Sequence, residues 1–208
     1  MSIFGKLSFK DHAFKLREDA ILDAATQVLA AKGFDLMTMD DVAGQIGISK
    51  PSLYKHFKSK DELVGACMIR LLDGALDHLA GHAPEWTPLQ RLAALLEWAL
   101  RVRLDGGLPF LPSTSNAVRD MLMKNLGYIT KVMKLNKMLE KMVQQAQQQG
   151  QLDASLPSDV ILFSYYARSC DPAVEYLLRF AKMEKEEIIR HMLRVCFGGM
   201  LPPGQRWE

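Results

Sequence analysis

The strongest constraint on this chain is the twenty-residue stretch from Thr38 to Phe57, TMDDVAGQIGISKPSLYKHF. Thr38 is followed three residues later by Asp41, the reciprocal capping pattern that opens a helix. Gly47 supplies the left-handed residue at which a short helix ends. Between these limits the apolar residues keep the spacing of one helical face: Met39, Val42, Ala43 and Ile46. The stretch is therefore predicted to begin with a short helix that closes in a tight turn.

A second short helix is predicted after the turn. Ser49 is placed to cap it, and Pro51 falls in its first turn, where a missing N–H costs nothing. Leu53 and Phe57 share its inward side, which leaves an outward side of Lys50, Ser52, Tyr54, Lys55 and His56. Two short helices across a tight turn predict a helix-turn-helix. The outward side chains suit phosphate oxygens and base edges in a major groove.

The distribution of charge agrees with this prediction. The chain has a net charge of +2, and residues 1–60 hold the whole excess, with nine basic and seven acidic residues. Residues 61–208 carry seventeen of each. From Ile48 to Lys60 there are four lysines and no acidic residue. Positive charge is thus placed locally, as expected when one element must lie on phosphates.

The pattern continues on both sides of the motif. Upstream, a helical stripe closes at Gly33, and downstream the Ser59–Glu62 capping box opens a long helix. From about residue 17 to 66 the chain resembles, in register, the N-terminal domain of the TetR family of bacterial transcriptional regulators. The most specific part is the pattern T-x-x-x-V-A-x-x-x-G-[IV]-S-x-x-x-[LI]-Y-x-[HY]-F-x-[SN]-K, which the chain satisfies from Thr38 to Lys60. Gly44 departs from the family, in which alanine is frequent, and glycine loosens a helix slightly.

The resemblance assigns the predicted DNA contacts residue by residue. It implies that base edges are read by Lys50 and Lys55, with Pro51 and Ser52 on the same surface. It implies phosphate contacts for Thr38, Tyr54, His56 and Lys60. Lys60 falls in the first turn of the next helix, where free N–H groups also favour anions.

Composition and periodicity predict the remaining organisation. Helical spacing recurs and alternating β-branched runs are absent, so we expect an all-α fold of about nine helices: a three-helix helix-turn-helix domain at 1–62 and a helical bundle at 63–208. No run approaches the ~20 apolar residues of a membrane span, and the N-terminus lacks signal-peptide features. Three dispersed cysteines fit a reducing compartment, so a cytoplasmic location is expected. The expected helices are at about 14–32, 38–46, 49–56, 60–81, 89–104, 114–123, 125–149, 157–180 (interrupted at Asp171-Pro172) and 184–197.

The resemblance implies that the second domain binds a small molecule within helices 4 to 7. Helices 6 and 7 are rich in methionine, which adapts to varied apolar partners. The predicted ligand residues are Trp98, Phe110, Met121, Tyr128, Met133, Met138 and Tyr166; ordinary core packing is the alternative for each of them. The resemblance also implies that the last two helices pair with a second subunit. The predicted interface residues are Val160, Phe163, Ile188, Met192 and Val195.

These features predict a homodimeric, ligand-responsive repressor whose partners are double-stranded operator DNA, a small-molecule effector and a second copy of itself. No membrane partner is expected. An enzyme is disfavoured, because the chain has no GxSxG, P-loop or HExxH motif. No cofactor and no metal site are expected, since His78 and His82 lack a third ligand in the sequence pattern. A thiol-based redox regulator using Cys67, Cys170 or Cys196 and a constitutive architectural DNA-binding protein are the alternatives.

Overall fold

The computed structural model describes residues 9–109 and 116–207, which form ten α-helices without a β-strand. The helices are α1 (Phe9–Leu36), α2 (Met39–Ile46), α3 (Lys50–Tyr54), α4 (Lys60–Ala80), α5 (Pro88–Leu104), α6 (Asn116–Leu122), α7 (Leu126–Gln148), α8 (Ser158–Ser169), α9 (Ala173–Arg179) and α10 (Lys185–Gly198). The prediction of an all-α fold is confirmed. The predicted contact residue Phe110 lies outside the described residues.

The described residues form one helix more than predicted, because the predicted eighth helix is divided into α8 and α9. The carboxylate of Asp171 accepts a hydrogen bond from the backbone N–H of Ala173 at 2.9 Å, so it starts α9 as a separate helix. Pro172 has no N–H to continue the hydrogen-bond ladder of α8. The break therefore follows from two adjacent residues.

The chain divides into two compact units between Cys67 and Met68, within the residues that form α4. The expected boundary was five residues earlier, after residue 62. In the first unit, α1 begins at Phe9, earlier than the predicted residue 14, and it contains a non-helical residue, Gly33, with φ 72° and ψ 170°. Glycine tolerates this positive φ, and the N–H of Met37 still reaches the carbonyl of Gly33 at 3.1 Å.

The second unit is built around α5, which packs against α7, α8, α9 and α10. Its buried residues occur on more than one side of the helix: Leu92, Leu95, Leu96, Ala99, Leu100 and Leu104. The hydroxyl of the buried Tyr165 donates to the carbonyl of Leu92 at 3.0 Å, which fixes α8 on α5. The sequence prediction of a central fifth helix is confirmed. Across residues 9–109 and 116–207, none of the helices combines the length and apolar character that crossing a bilayer requires.

Candidate nucleic-acid interface

The first helix of the motif, α2, is capped at both ends as its sequence predicts. The hydroxyl of Thr38 accepts from the N–H of Asp41 at 3.1 Å, and the carboxylate of Asp41 accepts from the N–H of Thr38 at 3.0 Å. Hydrogen bonds from Lys32 and then Thr38 lower the pKa of Asp41 to about 2. At the other end Gly47 has φ 73° and ψ 31°. The capping box and the left-handed glycine turn are both confirmed.

The start of α3 differs from the prediction in one respect. The side chain of Ser49 makes no capping hydrogen bond; instead its carbonyl accepts from the N–H groups of Ser52 and Leu53, at 2.9 and 3.1 Å. The predicted side-chain cap is therefore wrong, although the helix starts where expected. Leu53 is fully buried and Phe57 nearly so, which fixes the inward side of α3.

The opposite side of α3 is open to solvent. Lys50, Pro51, Tyr54 and Lys55 are exposed, and Ser52 is half-buried. The ammonium of Lys50 lies 2.7 Å from the carboxylate of Asp40, whose hydrogen bond raises the lysine pKa. A base edge would therefore compete with Asp40 for the ammonium of Lys50.

The side chain of His56 does not share this open side. It is only 4% exposed, and its ring stacks on Phe14 with 4.1 Å between centroids. Its Nδ1 lies 3.8 Å from the carboxylate of Glu18. This geometry counts against the predicted phosphate contact, because α1 extends far enough towards its N-terminus to cover the imidazole. Sequence reasoning missed Phe14, since no local pattern links residues 42 positions apart.

Lys60 lies in the first turn of α4 as predicted, but its side chain has partners within the protein. Its ammonium donates to the carbonyls of Phe34 and Met37, at 2.9 and 3.3 Å, and lies 4.3 Å from the centroid of the Phe34 ring. The Phe34 carbonyl belongs to the last turn of α1 and the Met37 carbonyl follows its end, where helices leave acceptors unpaired. Lys60 thus holds the end of α1 against the start of α4, which counts against a direct phosphate contact. Thr38 is exposed, but its hydroxyl is engaged in the capping box.

An experiment can distinguish the role of Lys60 from that of Lys55. We expect Lys60→Met to lower the stability of the protein by about 1–2 kcal/mol, because two carbonyls lose their donor. The salt dependence of DNA binding should remain unchanged. Lys55→Ala should do the reverse: the slope of log affinity against log salt falls by about one, at unchanged stability. Thermal unfolding measures the stability, and DNA titrations at several salt concentrations measure the slope. A reduced slope for Lys60→Met would support the predicted contact of Lys60 with phosphate.

The predicted ligand residues of the second unit fall into two groups. Tyr128 and Tyr166 are buried, which raises the pKa of both phenols, and the hydroxyl of Tyr166 lies 3.4 Å from Oδ1 of Asn136. Trp98, Met121 and Met138 are half-buried. Met133, by contrast, is 67% exposed on the outer side of α7, because its position is turned away from the inward residues Leu135 and Leu139. This exposure counts against the predicted role of Met133 in lining an interior ligand cavity.

Some of the predicted interface residues are exposed and the others are buried. Val160 and Phe163 on α8 and Val195 on α10 are exposed; we call these three side chains the α8–α10 patch. Ile188 and Met192 are buried, because they lie on the side of α10 that packs against α5 and α8. Their assignment to a subunit interface is therefore corrected to the core of the second unit.

The cysteines bear on the alternative of thiol sensing. Burial raises the pKa of the Cys196 thiol to about 12, and Cys67 is also buried. Redox sensing needs a thiolate, which the environment of Cys196 disfavours. Cys170 is half-buried, with its sulfur 3.5 Å from the hydroxyl of Ser169.

A capped helix, a glycine turn and a short second helix with an exposed basic side define a helix-turn-helix DNA-binding protein. Residues 21–67 match the family model of "Bacterial regulatory proteins, tetR family". The chain is 42% identical over 57 residues to the HTH-type transcriptional activator FasR of Mycolicibacterium smegmatis, which is 27% of this chain and 26% of FasR. The matches span about a quarter to a half of the length of the curated relatives. The N-terminal part of the chain is therefore similar to the TetR family of bacterial regulatory proteins.

Solved structures extend the similarity to the whole fold. FadR from Bacillus subtilis, in complex with stearoyl-CoA, has a TM-score of 0.64 at 15% identity, covering 88% of this chain and 98% of FadR. AibR, in complex with isovaleryl coenzyme A and operator DNA, has a TM-score of 0.62 at 22% identity, covering 90% of this chain and 99% of AibR. At these identities the likeness establishes the fold.

Proposed function

We propose that this protein is a homodimeric transcriptional regulator that acts in the cytoplasm and binds a near-palindromic operator through α3. DNA binding through α3 is supported by the contrast between its two sides, one buried and one exposed. Leu53 anchors the helix in the first unit, whereas Lys50, Tyr54 and Lys55 are free of the core. Two such helices related by a twofold axis require two half-sites one helical turn apart, ~34–36 Å.

The α8–α10 patch supports the homodimer. Phe163 is 65% exposed and Val195 62%, and apolar side chains on two neighbouring helices favour burial against a second surface. A twofold interface places the same patch on both subunits, so the helices would pair as a four-helix arrangement.

An amphipathic acyl thioester of coenzyme A is the effector class that we propose first. The support is that FadR and AibR, which share this fold, are described in complexes with stearoyl-CoA and isovaleryl coenzyme A. The second unit also holds the half-buried Met121 and Met138 and the buried phenols of Tyr128 and Tyr166, a mixture of apolar side chains and few polar groups that suits such ligands. We propose repression as the outcome of operator binding and release by the effector.

Selection of bound DNA from a random pool tests the proposal directly. We expect a near-palindromic consensus, and its occurrence over promoters in the source genome supports repression. Sites only upstream of promoters would favour activation, the role that the name of FasR gives to that relative. A pool without enrichment would contradict sequence-specific binding.

The same selection tests which residue reads bases. We expect Lys50→Ala to change the selected consensus, because a lysine on a base edge contributes about 1–3 kcal/mol of discrimination. Lys58→Ala is the matched control, since Lys58 is exposed but lies beyond the end of α3. It should keep the consensus. An unchanged consensus for Lys50→Ala would mean that this residue does not read bases.

A further inference from the structure

A second candidate site lies away from the predicted effector residues. A surface cleft of about 370 Å³ runs along the first half of α5, and Trp86 and Trp207 contribute to its lining. Ala93 and Ala94 of α5 also line it, and none of the predicted effector residues that the structure describes does. Two of the three tryptophans of the chain thus meet at one cleft within the second unit.

Both indole rings are held by other rings. Trp86 stacks on His82 with 4.7 Å between centroids, and His82 meets His78 edge-on, also at 4.7 Å. Trp207 stacks at 4.7 Å on Phe197, which is fully buried. Each indole therefore has one face covered by a packed ring. Such rigid aromatic surfaces bind ligands with little loss of side-chain freedom.

The turn that carries Trp86 is also fixed. The guanidinium of Arg91 donates to the carbonyls of Ala83 and Pro84, at 3.3 and 3.0 Å. The helix α5 begins with a capping box between Thr87 and Gln90, so the side chains of both residues already have hydrogen-bond partners. The wall formed by Trp86 is therefore built before any ligand arrives.

The charge of the cleft selects the ligand class. Among the described residues that line it, Glu97 is the charged one. Its carboxylate accepts from Arg101 at 2.9 Å, and Arg101 also binds Glu186 at 2.7 Å, so the three groups together carry one negative charge. Burial, with His78 and Arg91 nearby, lowers the pKa of His82, which favours the neutral form of the imidazole behind Trp86. Indole faces attract cations, and most strongly among the aromatic side chains.

We propose that the Trp86–Trp207 cleft binds a small organic cation, such as a quaternary ammonium or a protonated aromatic amine. This site is additional to the effector site of the proposed regulator. The cation lies between the two indole walls and faces the carboxylate of Glu97. Its binding does not depend on whether the protein represses or activates.

Tryptophan fluorescence of the full-length protein gives the test. The probe is benzyltrimethylammonium, and the comparison ligand is neopentylbenzene, in which carbon replaces the charged nitrogen. We expect saturable quenching by the cation and about tenfold weaker binding of the uncharged ligand. Trp207→Leu should weaken cation binding about tenfold, and Trp86→Leu by a similar factor.

Two charge variants complete the experiment. Glu97→Gln should weaken the cation about threefold, as expected for a partly exposed charge. Glu187→Gln is the matched control, because Glu187 lies on α10, pairs with His191 and does not line the cleft. Thermal unfolding of each variant checks that it folds. Equal affinity of the two ligands, an unchanged affinity of Trp207→Leu and Trp86→Leu, or no saturation at millimolar concentrations would each overturn the proposal.

Discussion

Phe163→Asp should convert the protein into monomers and lower its operator affinity by about a hundredfold or more. Phe163 belongs to the α8–α10 patch, and a carboxylate placed inside a subunit interface would lose its hydration without gaining a partner. Two linked half-sites bind about 10²–10⁴ times more tightly than one, so the loss of the dimer removes that advantage. Sedimentation velocity and fluorescence anisotropy with labelled operator measure the two effects.

The fold of each subunit should survive this change. Phe163 is largely exposed in the single chain, so aspartate at this position costs the core little, and circular dichroism should remain that of a folded helical protein. Leu126→Asp is the matched control: Leu126 is 79% exposed at the start of α7, where a negative charge suits the helix terminus. It should stay dimeric and bind operator. A dimeric Phe163→Asp protein would place the interface elsewhere.

The second large effect is expected from the effector. An acyl-CoA that relieves repression should lower operator affinity about a hundredfold, which requires a preference of ~2.7 kcal/mol for the state that does not bind DNA. Burial of a few apolar groups supplies this amount. The helix α4 offers a physical route, because its first turn carries Lys60, which holds the end of α1, and its later turns belong to the second unit.

Reciprocity makes this coupling measurable from either ligand. If the acyl-CoA lowers operator affinity by some factor, operator DNA must lower acyl-CoA affinity by the same factor. Calorimetric titration of acyl-CoAs of several chain lengths, with and without operator, determines both numbers. Free coenzyme A is the control that lacks the acyl chain. Equal acyl-CoA affinities in the two titrations would exclude this mechanism, and a thermal-shift screen without a hit would favour an architectural DNA-binding protein.

Local signals made most of the helix-turn-helix predictable. The Thr38 capping box and the Gly47 turn depend on residues within a few positions of each other, so the sequence contains all their determinants. The positions of His56 and Lys60 could not be predicted in the same way. Each is determined by a contact with α1, through Phe14 in one case and the Phe34 carbonyl in the other, and these partners are 42 and 26 positions away.

The same limit explains the errors in the second unit. Helical periodicity identified α10, but Ile188, Met192 and Val195 are all apolar, and hydrophobicity alone does not distinguish the side packed on α5 from the outer side. On α7, Met133 is apolar and yet outward. Which side of an apolar helix faces inward is decided by its neighbours, and those neighbours are set by the tertiary fold.

The pairing of Lys50 with Asp40 has a consequence for the time that the regulator spends away from its operator. A genome offers millions of competing sites, and each attracts a protein through phosphate charge alone. A lysine already neutralised by its own chain adds less to that indiscriminate attraction. On the proposed assignment of Lys50, a base edge of the operator replaces the carboxylate as the partner of the ammonium. If Lys50 reads a base edge as proposed, Asp40 competes with DNA for its ammonium, and we expect this competition to shorten the stay on random DNA more than the stay on the operator.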